Sequence, residues 1–178
     1  MKRLVKLISV FCMTFVFLLS MASCTGYDFY SDWHNAGASI EKEHIFEVIT
    51  LEEATKMKKD GISFALLYAS SSSQESVKVV STLQAQAEYL GREDAVIYFL
   101  DAKDYDTSSK RKELRSADTI YMHEAPTDGS PIIMTFKSTA VDVDTSFTNK
   151  PKTKQFFVNG SFQYASLASY IFKDLLKK

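Results

Sequence analysis

Residues 62–73 read Ile62-Ser63-Phe64-Ala65-Leu66-Leu67-Tyr68-Ala69, then Ser70-Ser71-Ser72-Ser73. The first eight form a nearly unbroken apolar run, the pattern of a strand covered on both faces. Four serines in a row supply turn chemistry. From Gln74 to Leu90 the period changes: Val77, Val80, Leu83, Ala87 and Leu90 fall on one helical face, and Gly91 marks the stop. A buried strand that turns at once into a long helix predicts an α/β domain.

Working outward, the same alternation continues on both sides. Upstream, Ile45, Phe46, Val48 and Ile49 read as a strand. Thr50-Leu51-Glu52-Glu53 is a capping box that opens a helix over Leu51–Lys59, closed by Gly61. Downstream, Ala95–Asp101 is a second buried strand, and Ser109–Ala117 a short helix. Pro131–Lys137 and Lys154–Val158 are further strands, Asn159-Gly160 turns the chain, and Ala165–Lys178 closes it with a helix. The predicted order is β-α-β-α-β-α-β-β-α: a central mixed sheet flanked by helices over residues 43–178.

The chain has 178 residues, 46% of them hydrophobic, enough for one domain with a substantial core and too few for two ordinary ones. A net charge of −1 with 24% charged residues argues against a nucleic-acid partner, which requires a basic stripe. Lys110, Arg111, Lys112 and Arg115 give one small basic face offset by acidic neighbours. Two cysteines, Cys12 and Cys24, are too few for a disulfide-stapled scaffold.

The amino terminus reads as an address. Lys2, Arg3 and Lys6 precede an apolar stretch from Leu7 to Met21, and no acidic residue occurs before Asp28. Leu19-Ser20-Met21-Ala22-Ser23-Cys24 resembles the lipobox of bacterial lipoproteins, with Met21 where that family usually has Leu. The resemblance implies a signal peptide over 1–23, a diacylglycerol thioether on Cys24, and an extracytoplasmic protein held to the cell or outer membrane by its lipid. Ordinary cleavage after Ala22 and an uncleaved anchor are the competing readings. Loss of residues 1–23 removes three basic and no acidic residues, so the net charge moves from −1 to −4. Residues 24–42, with Gly26, Asn35 and Gly37, read as the lipidated cysteine and a tether, some of whose aromatic residues Tyr27, Phe29, Tyr30 and Trp33 pack loosely on the domain or at the bilayer interface.

The element order, a strand ending Tyr68-Ala69 that turns directly into a long helix, and Ser130-Pro131-Ile132-Ile133 opening a strand resemble the thioredoxin-like superfamily. More narrowly, Val96-Ile97-Tyr98-Phe99-Leu100-Asp101 together with the lipid anchor is similar to the bacteriocin-transport accessory proteins. The resemblance implies a cis Ser130-Pro131 bond beside the serine turn, and an extended peptide pairing with the backbone at Ser130. It departs at the position of the family's Cys-x-x-Cys motif, where this chain has Ser72-Ser73-Gln74-Glu75, or the four residues starting one earlier, with no cysteine in either register. Disulfide exchange needs a thiolate, so the family's redox activity does not carry over, and enzyme status stays open.

The expected binding groove comprises Tyr68, Ser71, Ser72, Ser73, Ser130 and Pro131, with Ser72-x-x-Glu75 capping the helix. A Ser72–His123 nucleophile pair has no supporting motif. No zinc spacing is present, and Asp142-Val143-Asp144 alone does not make a calcium loop. The expectation is a redox-inactive, membrane-anchored protein that binds a peptide or partner protein, without cofactor or metal. Alternatives are an accessory component of disulfide handling or of bacteriocin or peptide export, and a structural envelope lipoprotein.

Overall fold

The structure is a computed structural model and describes residues 27–122, 130–137, 152–157 and 170–176. Cys24, His123, Asp142 and Asp144, and the part of the expected closing helix over 165–169, lie outside these residues. The elements are α1 (Phe29–Asn35), β1 (Phe46–Val48), α2 (Leu51–Lys59), β2 (Phe64–Ala69), α3 (Gln74–Tyr89) and β3 (Ile97–Asp101). A 3-10 turn (Ala102–Tyr105), α4 (Ser108–Leu114), β4 (Ile132–Lys137), β5 (Lys152–Phe157) and a π-helical segment (Tyr170–Leu175) follow. The architecture is α/β, a mixed sheet flanked by helices.

The five strands lie in the order β1-β3-β2-β4-β5. β1 and β2 both run parallel to β3, while β4 runs antiparallel to β2 and β5 antiparallel to β4. All six residues of β2 are buried, as its apolar run requires of a central strand. Alternation along the strands divides the core. Ala65, Leu67, Ala69, Ile97, Phe99 and Ile133 meet α1, α3 and the π-helical segment on one face. Phe64, Leu66, Tyr68, Leu100, Met134 and Phe136 meet Ala54 and Met57 of α2 and Leu114 of α4 on the other. Thr50 and Glu53 form the capping box of α2, each side chain accepting the other's backbone N–H.

Two sequence expectations require correction. Residues 27–42 are a packed part of the domain. Asp28 caps α1, accepting from the Ser31 N–H, and Phe29 and Trp33 are 4% and 0% exposed. Phe29 stacks on Phe46 and Trp33 sets its edge against Phe99. Beyond α1, the Ser39 N–H donates to Ser81 Oγ at 2.9 Å and the Ile45 N–H to Gln84 Oε1 at 3.2 Å, tying this segment to α3. Glycine, asparagine and serine suggested a linker, but the i, i+4 pair Phe29/Trp33 decides the structure because two aromatic rings gain more from burial than a polar segment gains from solvent. Second, no peptide bond among the described residues is cis, so Ser130-Pro131 is trans. The trans isomer is the ordinary preference of an X-Pro bond.

Candidate functional site

The connections leaving β2 and β3 diverge. β2 passes through Ser70–Ser73 into α3 on one face of the sheet, while β3 passes through the 3-10 turn into α4 on the other. In an open sheet, a crevice forms at the carboxyl ends of two strands whose connections part in this way, and ligands bind there. Here that switch point falls between the serine turn and Asp101-Ala102-Lys103, because Ala69 and Asp101 are the last register pair of β2 and β3.

The serine turn is tightly self-bonded. Ser70 Oγ and Ser72 Oγ are 2.7 Å apart, the Ser72 N–H donates to Ser70 Oγ, and the Ser73 N–H donates to the Ser70 carbonyl. The cap of α3 is Ser73, whose hydroxyl accepts from the Ser76 N–H at 3.4 Å. The capping role expected of Ser72 therefore belongs to the next residue. The Ser70 side chain is already engaged with Ser72, and the chain enters helical geometry only after Ser73. Ser72 is exposed, and Ser71 and Ser73 are half-buried.

Opposite the turn, Lys103 joins three elements. Its Nζ donates to Ser71 Oγ at 2.8 Å and to Asp32 Oδ2 of α1 at 3.3 Å. Both members of the Lys103–Asp32 pair are nearly half exposed, so the pair holds the crevice in shape and contributes under about 1 kcal/mol. Asp101 is 7% exposed and accepts from the Lys103 N–H at 2.9 Å. Burial pushes its carboxyl above the usual range, against the opposing pull of that N–H and of the Lys103 charge. Beneath lie Tyr27 Oη and Trp33 Nε1, both buried. The Tyr27 hydroxyl is raised by burial first and then by the negative charges of Asp101 and Asp32.

The expected groove is therefore redrawn. Tyr68 is 1% exposed and packs on the face away from α3, against Tyr105, so it offers a ligand no surface. Burial pushes its hydroxyl up to about 12, with Arg111 opposing. Pro131 is buried and Ser130 half-buried. The register Tyr68↔Ile132 carries Pro131 and Ser130 to the level of Ala69 and Ser70, the same end of the sheet as the serine turn. Sequence reasoning passed over Lys103, Asp101 and Asp32. The signal for Asp101 was its position closing an apolar strand. Lys103 and Asp32 carry no local signal, because their meeting depends on the packing of α1.

Among the described residues, no three His, Cys, Asp or Glu side chains gather into a group able to hold a metal ion, and no helix is long and apolar enough to cross a membrane. No family model, no curated protein and no solved structure matches this chain.

Proposed function

We propose that this chain is a lipid-anchored extracytoplasmic binding protein of thioredoxin-like topology, which holds a peptide or partner protein without thiol chemistry of its own. The order β1-β3-β2-β4-β5, in which β4 alone runs against the other four strands, with helices on both faces, supports the topological reading. The trans Ser130-Pro131 bond departs from that family, so the pairing of a ligand strand at Ser130 is set aside. Beyond Cys24 the sequence contains no cysteine, which removes the thiolate that disulfide exchange requires.

The observation that carries the binding role is the divergence of the connections at the carboxyl ends of β2 and β3. The half-exposed ammonium of Lys103 and the hydroxyl of Ser71 converge there beside the first turn of α3. Such a site suits a carboxylate or a peptide carbonyl. Two measurements test the reading. The mass of the mature amino terminus decides the anchor: a diacylated Cys24 is expected, and an unmodified chain beginning at Ser23 overturns it. Binding to an immobilised peptide library decides the crevice. Ser71→Lys and Lys103→Met are expected to abolish the strongest signals at unchanged melting temperature, and retention of those signals by both variants places binding on another face.

A further inference from the structure

The packed segment 27–42 changes where the domain can stand. Tyr27 stacks on Phe99 with 5.8 Å between ring centroids, its hydroxyl is buried, and Asp28 already caps α1. If residues 24–42 were a free tether, a lipid on Cys24 would let the domain range over roughly 60 Å, at 3.3–3.6 Å per residue. With the chain fixed at Tyr27, three peptide steps remain, a reach of roughly 10 Å. Resting on the proposed anchor, we infer that the domain lies directly on the bilayer, and that the surface laid against the lipid headgroups is the groove between α1 and β1.

This groove encloses about 440 Å³ and is lined by Tyr27, Asp28, Tyr30, Lys42, His44 and Glu47, among others. β1 is the outermost strand of the sheet, with β3 as its partner, so nothing in the sheet stands between it and the membrane. Tyr30 and His44, both half-buried, present an apolar body with a polar tip, the chemistry of the headgroup layer. Asp28 and Glu47 offset Lys42, so attraction to anionic lipid does not set the orientation; the short covalent link does. Zwitterionic lipid therefore suffices as the partner surface.

The absence of cysteine beyond Cys24 makes the test direct, since one introduced cysteine is the only free thiol of the lipidated protein. Tyr30→Cys and Lys42→Cys place a nitroxide label in the groove. Tyr89→Cys places one at the opposite end of α3 from the serine turn, at a side chain 82% exposed. The full chain is expressed, processed and reconstituted into phosphatidylcholine vesicles. The groove labels are expected to be several-fold less accessible to a water-soluble nickel chelate than the label at 89. Lys42 is exposed in the free domain, so its label reports even if Tyr30→Cys fails to fold. Flotation with vesicles but equal accessibility at all three positions overturns this orientation and leaves the anchor standing. Failure to float with the vesicles overturns the anchor, and the orientation with it.

Discussion

Asp101 shows how one residue can be placed against its own ionisation. Its side chain is held by the Lys103 N–H, yet burial raises its pKa above the ordinary value of 3.8. In the window between that value and the raised one, the folded chain binds the proton and the unfolded chain does not, so stability falls as pH rises through it. Asp101→Asn keeps an oxygen that can accept from Lys103 and removes the charge. The variant is expected to melt higher than the parent at pH 7, and the difference should vanish once the pH is below 3.8, where both states of the parent are protonated. Thermal melts across that range measure it; a variant that melts lower at pH 7 would mean that the attraction to Lys103 outweighs burial.

Elements were legible where local chemistry and tertiary need agree. The capping box Thr50/Glu53 starts α2 where the sequence placed it, and the continuous apolar run is the fully buried β2. At α3 the boundary was read correctly and the cap was not, because four identical serines give local patterning nothing to discriminate. Their roles follow from the turn, in which Ser70 binds Ser72 and leaves Ser73 to the helix. A cap is worth about 1 kcal/mol, so Ser73→Ala is expected to lose about that much in urea denaturation. Ser72→Ala, exposed and bonded only within the turn, should lose about 0.5 kcal/mol or less. Equal losses would return the capping role to the turn as a whole. The crevice was only half legible for a related reason. The serine turn is contiguous in sequence, whereas Asp32, Ser71 and Lys103 come together through packing.

At the scale of the whole molecule, the sheet is shared by two core clusters, one on each face, and α1 belongs to the first of them. Phe29 and Trp33 touch Phe99, whose strand is the partner of both β1 and β2, so α1 rests on the centre of the fold. An appendage would detach before the rest; an integral helix unfolds with it. Trp33 is the only tryptophan in the chain, and its emission reports α1 alone, whereas far-ultraviolet circular dichroism reports all the helices and strands. In urea the two signals are expected to change at one midpoint. Phe29 is 4% exposed, and Phe29→Ala should shift both midpoints down together, by a loss of about 3–5 kcal/mol typical of an emptied aromatic core site. A surface tether would tolerate the same change within about 0.5 kcal/mol. Trp33 emission that moves at lower urea than the circular dichroism, or a Phe29→Ala variant as stable as the parent, would detach α1 from the core. It would also restore the long tether and so free the domain from the bilayer surface.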